Sequence, residues 1–247
     1  MKTIDINCDM GEGIGNDAAI MPFISSANIA CGYHASDEDT MKRTVELAIK
    51  YNVAVGAHPS YADKENFGRT DMHLPSAEVY DLMTKQIFHL ARIAKAAGGS
   101  LHHVKPHGAL YNMAARGKRL ASVIALAVKD VSDELILYGL SGSHLISEAI
   151  AIGLRAASEV FADRTYKDNG SLTSRSHPNA LIEDEKQSVQ QVLQMVKEGK
   201  VITVSGKSIP ITAETICIHG DGKQAILFAK KINEILNQNN IVIKAIT

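Results

Sequence analysis

The stretch TIDINCDMGEG, residues 3–13, sets the pattern that decides the fold. Apolar and polar residues alternate along its first part, as they do in a β-strand with one buried face. The alternation ends in two acidic groups, Asp9 and Glu12, beside glycines that permit tight turns. This arrangement is typical of a strand whose C-terminal end lines a site.

Six more short apolar runs follow along the chain, and amphipathic segments separate most of them. They are residues 27–32, 53–58, 101–107, 135–140, 155–162 and 215–221. Strands that alternate with helices predict βαβ units and parallel pairing. Six of the seven runs finish in titratable groups. An open doubly wound sheet lines a site only at its switch point, whereas a closed barrel brings every strand end to one mouth.

The sequence therefore predicts an α/β protein with one domain over residues 1–247, a seven-stranded parallel (β/α) barrel of the TIM-barrel type. We expect a small β-hairpin insertion near residues 200–212, which turns at Ser205-Gly206, and a final strand within 240–246. The GKS in the hairpin is not a P-loop, because Val201 stands where the first glycine is required. We further expect Ser36 to cap the following helix and one continuous helix over 109–130.

Composition and charge exclude several classes of protein. The chain has 247 residues and a formal net charge of −1, which gives no indication of nucleic-acid or anionic-membrane binding. No apolar run approaches the roughly 20 residues of a membrane span, and we expect no signal peptide. The three cysteines are odd in number and form no C-x-x-C pair. We expect them to be buried thiols in a reducing cytoplasm.

The segment LHHVKPHGALYN, residues 101–112, is rich in histidine. His103 and His107 have the spacing of a helical zinc pair, but the intervening Pro106 would break that helix. In a strand, His103, Lys105 and His107 share one face, whereas His102 and Val104 share the other. We expect Lys105 either to bind an anion or, if desolvated, to act as a base. His107 is a candidate acid or base.

Two other groups of polar residues leave alternatives open. Asp9, His34 and His58 form a donor set that suits a divalent metal, although both histidines also fit as buried structural residues. In the long polar loop after residue 161, Arg164 is a natural clamp for a carboxylate, and Asp163 is its alternative partner.

Taken together, seven segments resemble the LamB/YcsF family, in order from Asp5 to about Ala225. They are INCDMGEG, ANIACGYHA, GAHPSY, GRT, HVKPHGALYN, EVFADRTY and CIHGD. The resemblance implies a barrel related to polysaccharide deacetylases and a cytoplasmic enzyme, the A subunit of bacterial ATP-dependent 5-oxoprolinase, which works with two partner subunits, B and C. One departure is Thr70, where a second arginine is usual after Arg69.

The reaction that this resemblance implies is the opening of the lactam of 5-oxoproline (pyroglutamate) to glutamate, with hydrolysis of ATP to ADP and phosphate. The candidate catalytic residues are Asp9, Glu12, Lys105, His107, His219 and Asp221. The candidate substrate-binding residues are Asn7, His34, His58, Arg69, Asp163 and Arg164. We expect Asp221 either to orient His219 or to hold Mg²⁺ on the ATP phosphates.

Two rival functions remain open on the sequence. The first is a metal-dependent, deacetylase-like hydrolase that uses Asp9, His34 and His58. The second is a substrate-binding subunit without chemistry of its own, because the chain carries no P-loop or other recognisable nucleotide motif.

Overall fold

A computed structural model describes residues 1–219 and 225–247 of the chain. Its strands are β1 (Lys2–Met10), β2 (Ser26–Ala30), β3 (Ala54–His58), β4 (Leu101–Val104), β5 (Ile136–Leu140), β6 (Arg155–Phe161), β7 (Lys200–Ile202), β8 (Ser208–Pro210), β9 (Thr215–Ile218) and β10 (Ile241–Ile243). Parallel pairing runs through β1 to β6 and then to β9, and β9 pairs back with β1. The predicted closed barrel of seven parallel strands is confirmed.

Helices surround the barrel. They are α1 (Asp17–Ile20), α2 (Glu38–Lys50), α3 (Ser76–Ala96), α4 (Gly108–Arg116), α5 (Lys118–Val131), α6 (His144–Ala151), α7 (Glu185–Glu198) and α8 (Ala225–Gln238), with a short 3₁₀ turn at Met21–Phe23. Across the described ranges, none of these helices has the length and apolar character needed to cross a bilayer.

The alternation of β1 divides its side chains between two environments. Ile4, Ile6, Cys8 and Met10 are buried in the apolar core that the barrel shares with its helices. The intervening polar residues lie inside the barrel, where they bond to side chains on, or just after, other strands. The first strand therefore supplies both the packing layer and part of the barrel's polar interior.

Part of the barrel interior is occupied by a connected set of hydrogen bonds, here called the ladder, beside a small apolar cluster of Ile136, Tyr138 and Ala157. Thr215 Oγ1 donates to Asp5 Oδ2 (2.6 Å) and accepts from Asn7 Nδ2 (2.7 Å). Asn28 Nδ2 donates to Asn7 Oδ1 (2.7 Å), and Asn28 Oδ1 lies 2.8 Å from His103 Nε2. All five residues of the ladder are buried, so these bonds offset the desolvation of their polar groups.

A glycine makes room for the histidine in this ladder. A Cβ atom at Gly56 would overlap the ring of His103, which is stacked on Tyr138 at a centroid distance of 4.2 Å. Pairing between β3 and β4 shifts at this point, because Val55 pairs with Leu101 but Gly56 pairs with His103. His102 is thus the extra residue of a β-bulge.

The bulge corrects one predicted orientation. His102 does not share an environment with Val104, which packs in the outer core. Its Nδ1 instead lies 3.1 Å from His103 Nδ1, and its Nε2 lies 2.7 Å from the carbonyl oxygen of Ile246.

Other predicted elements are confirmed or corrected. The hairpin forms as β7 and β8 in antiparallel pairing, and Gly206 adopts φ +85° in its turn. The final strand, β10, pairs in parallel with residues 2–4 of β1. The expected cap at Ser36 is wrong, because Ser36 has φ +80° and the side chain of Asp37 accepts from Thr40 N instead. The expected single helix over 109–130 is wrong, because Gly117 separates α4 from α5.

Candidate active site

The C-terminal ends of the strands surround one cavity of about 480 Å³ at the mouth of the barrel. That volume lies in the range of small-molecule sites. Most of the candidate residues line it: Asp9, Glu12, His58, Arg69, Lys105, His107, Arg164 and His219. The strand ends therefore converge as the sequence predicts. Asp221, the remaining catalytic candidate, lies outside the described residues.

Lys105 is buried at the centre of this mouth and binds two carboxylates. Its Nζ lies 2.9 Å from Asp9 Oδ1 and 2.9 Å from Glu159 Oε1. Asn7 Oδ1 at 3.2 Å and Cys217 Sγ at 3.1 Å complete its surroundings. Burial alone lowers the pKa of Lys105, but the two carboxylates outweigh it and raise that pKa well above the usual value. The expected lowering of the pKa of Lys105 is therefore not found, and the raised pKa favours its ammonium form.

Glu159 is a site residue that is absent from the candidates predicted from the sequence. Its side chain is fully buried, and its Oε2 accepts from Tyr111 Oη at 2.6 Å. Burial and the neighbouring Glu159 carboxylate raise the pKa of Tyr111 well above its usual value. The alternation of β6 could have identified Glu159, because it turns residues 157, 159 and 161 toward the interior of the barrel.

Three histidines and an acid form a compact cluster beside Lys105. His34 Nε2 lies 3.1 Å from Glu12 Oε1, and His58 Nε2 lies 2.9 Å from His107 Nδ1. The rings of His34 and His107 are stacked at 3.8 Å. His58 Nε2 also approaches Asp9 Oδ2 at 3.3 Å. The cluster brings His34 and His58 together with Glu12 and His107, rather than with Asp9 alone.

Burial controls the protonation of this cluster. It lowers the pKa of His34 to about 2, with a further contribution from His58. It also lowers the pKa of His107 well below the usual value, again with His58 and also His34 contributing. Burial thus favours the neutral form of both imidazoles.

His219 pairs with the carboxylate of Asp163, which the sequence pattern offers as a partner of Arg164. Its Nδ1 lies 2.8 Å and 2.9 Å from the two oxygens of Asp163, and its ring stacks on Phe161. Burial raises the pKa of Asp163, but His219 outweighs burial and holds that pKa below its usual value. Because a carboxylate only accepts, His219 Nδ1 carries the hydrogen of this bond.

Arg164 is held by the loop that follows β6. Its Nη2 donates to the carbonyl oxygen of Thr173 (2.6 Å) and its Nε to that of Ala180 (3.3 Å). Burial lowers its pKa to about 10, with Arg175 adding to the effect. Arg164 thus uses two of its donor groups to hold the loop that contains Thr173 and Ala180. Its role as a clamp for a carboxylate stays a prediction. Asp163 pairs with His219, not with Arg164.

Comparison with known proteins identifies relatives over the whole chain. The LamB/YcsF family model matches residues 4–247. A protein of Brevibacillus brevis, named as the A subunit of 5-oxoprolinase, is 54% identical over 250 residues, which cover 99% of this chain and 98% of that protein. The crystal structure of the lactam utilization protein from Thermus thermophilus is 41% identical, with a TM-score of 0.93 over 100% of both chains.

A more distant likeness concerns the fold alone. The catalytic domain of a peptidoglycan N-acetylglucosamine deacetylase from Eubacterium rectale shares 12% identity, with a TM-score of 0.55 over 100% of this chain and 89% of that chain. The predicted relation of the barrel to polysaccharide deacetylases is confirmed at this level.

Proposed function

Because the chain belongs to the LamB/YcsF family, we propose that it is the A subunit of a 5-oxoprolinase, a hydrolase that opens the lactam of 5-oxoproline to glutamate. The observation that carries this proposal is the 54% identity, over nearly the full length of both chains, to the Brevibacillus brevis protein that bears this name. The likeness to a lactam utilization protein supports the same class of substrate.

We propose that opening of the lactam is coupled to hydrolysis of ATP, because a five-membered lactam is a stabilised amide. Transfer of the γ-phosphoryl group to the lactam oxygen releases ADP and makes the ring carbon open to attack by water. Water adds, the C–N bond breaks, and the nitrogen takes up a proton. A second water then hydrolyses the resulting acyl phosphate to glutamate and phosphate. ATP enters this scheme as its Mg²⁺ complex.

We further propose that the enzyme contains two partner subunits, B and C, and that it is located in the cytoplasm. The relatives are named as one subunit of an enzyme, which supports a complex of several chains. The three cysteines are buried free thiols, as expected in a reducing compartment.

The side chains of the mouth supply the groups that this reaction needs. His219, oriented by Asp163, has the geometry of a general base for water. The ammonium group of Lys105 fixes Asp9 and Glu159 and balances their charge, so it acts as a positioning cation. Arg69 and Arg175 line the cavity and offer positive charge to a carboxylate or phosphate.

The test is reconstitution with subunits B and C, followed by 5-oxoproline-dependent release of ADP and formation of glutamate. His219→Asn should lower turnover about 10²- to 10⁴-fold, the usual range for a lost general base. The exposed His73 provides the matched control, and His73→Asn should retain turnover. Size-exclusion chromatography establishes that each variant still assembles.

Each other outcome has a defined meaning. Activity that does not require this chain would refute its place in the enzyme complex. An assembled His219→Asn complex with normal turnover would refute the base. A rise in KM at unchanged kcat would identify a chain that only holds substrate, and hydrolysis of an acetamide without ATP would favour the deacetylase-like alternative.

A further inference from the structure

We propose that Glu12, His34, His58 and His107 form a binding site for one divalent transition-metal ion. This four-residue set differs from the Asp9, His34 and His58 set expected from the sequence, and the proposal does not depend on the reaction proposed above. Among the described residues, one ligand atom from each of the four lies within 4.8 Å of all the others.

The hydrogen bonds of His58 and His107 fix where their protons lie. His58 Nδ1 faces the carbonyl oxygen of Lys105 at 2.7 Å, and His107 Nε2 faces that of Phe67 at 2.9 Å. A carbonyl oxygen only accepts, so each of these nitrogens carries the hydrogen. When both rings are neutral, His58 Nε2 and His107 Nδ1 each carry a lone pair, and these two atoms lie only 2.9 Å apart.

His34 is fixed in the same way through a serine. Ser60 Oγ donates its hydrogen to the carbonyl oxygen of Tyr61 at 2.9 Å. It must then accept from His34 Nδ1, which lies 2.9 Å away. The lone pair of His34 Nε2 consequently points at the carboxylate oxygen Glu12 Oε1, 3.1 Å away.

The four ligand atoms thus lie close to one another, and a cation between them would remove their mutual repulsion. The parallel rings of His34 and His107 must turn before both nitrogens face one ion. In a tetrahedral site with ligand bonds of about 2.1 Å, neighbouring ligand atoms lie about 3.4 Å apart. The separations here are 2.9 Å, 3.1 Å and, between His107 Nδ1 and Glu12 Oε1, 3.6 Å.

The donor set also indicates which ion fits. Three imidazole nitrogens and one carboxylate oxygen suit Zn²⁺ and its neighbours such as Co²⁺, whereas Mg²⁺ and Ca²⁺ prefer oxygen ligands. The second nitrogen of every ring is held by Ser60, Lys105 or Phe67, as is usual for metal-bound histidine. Glu12, His58 and His107 line the cavity. A bound ion would there supply a Lewis acid for an oxygen atom of a ligand.

The experiment measures metal binding by the full chain. Protein stripped with a chelator is titrated with Zn²⁺ in a calorimeter, and Co²⁺ is added separately to record the visible absorption of its d–d bands. We expect one ion per chain and the spectrum of four-coordinate cobalt. Ser60→Ala, which removes only one hydroxyl group outside the ligand set, should weaken binding about 10- to 100-fold.

Two ligand variants and two controls locate the site. Glu12→Gln and His107→Ala should lose the cobalt spectrum, whereas His73→Ala and His219→Asn should retain it. Circular dichroism shows whether each variant is folded, and Ser60→Ala and Glu12→Gln keep the test valid if His107→Ala does not fold. A wild-type chain that binds no Zn²⁺ would overturn the proposal. So would loss of binding in Asp9→Asn with full binding in Glu12→Gln, which would identify the Asp9, His34 and His58 set instead.

Discussion

At the scale of single residues, Lys105 illustrates how neighbours decide the charge of a buried group. Burial alone favours a neutral amine, but the adjacent carboxylates of Asp9 and Glu159 keep the ammonium charged. The same contacts make the lysine a structural element of the mouth, since removing it leaves two buried carboxylates without their cation.

Lys105→Met should therefore destabilise the protein strongly. Breaking a buried ion pair by removing one partner costs about 3–5 kcal/mol, which urea unfolding monitored by circular dichroism would measure. Lys42 is the matched control, because it pairs with Glu38 at 2.8 Å on the exposed surface of α2. Lys42→Met should leave the unfolding midpoint almost unchanged. Equal effects of the two substitutions would contradict this account.

The sequence predicted the positions of the site residues better than their partners. Asp9, His58, Lys105, His107 and His219 were found because polar residues at strand ends must meet at one mouth. Their pairing depends on the order of strands around the barrel. Asp163 and His219, for example, are 56 positions apart in sequence, and spacing alone gives no reason to join them.

At the scale of elements, β3 and β4 fit together only because one of them carries a glycine. Gly56→Ala should place a methyl group against the His103 ring, which cannot move freely because it bonds to Asn28 and stacks on Tyr138. Overpacking of this kind costs about 1–3 kcal/mol.

A double-mutant cycle tests this explanation. In a His103→Ala background the ring is absent, so Gly56→Ala should cost much less free energy of unfolding than it does in the wild type. The same cost in both backgrounds would show that the ring is not the obstacle.

Element boundaries show where sequence patterns were insufficient. The helical periodicity of residues 109–130 continues across Gly117, yet α4 ends at Arg116 and α5 begins at Lys118. Ser36 and Asp37 are both good capping residues, and only the backbone conformation distinguishes them. The bulge at His102 depends on pairing with β3, which a single strand's sequence does not contain.

At the scale of the whole molecule, the polar interior makes stability depend on pH. Burial lowers the pKa of His103 well below its usual value. The folded protein therefore keeps this ring neutral while the unfolded chain protonates it below about pH 6.5. The stability from the neutral ring is fully present above that pH and is lost as the pH falls toward the lower folded pKa.

One such group contributes a slope of about 1.4 kcal/mol per pH unit to the free energy of unfolding. In urea unfolding between about pH 6 and pH 4.5, with a chelator present, His103→Gln should reduce the slope of the wild type by about this amount. His73→Gln, at an exposed position, should leave it unchanged. The slope separates titration from packing, because a purely structural loss shifts stability equally at every pH. An unchanged slope in His103→Gln would contradict the prediction.

The ladder of Asp5, Thr215, Asn7, Asn28 and His103 has a consequence for how the barrel closes. A strand that slips by two residues keeps the same side chains facing inward, so an apolar interior would tolerate the error. Here such a slip would separate Asn28 from Asn7 and would leave buried amide groups without partners. The ladder thus specifies the register of the strands during assembly, because only one alignment of the strands satisfies its hydrogen bonds.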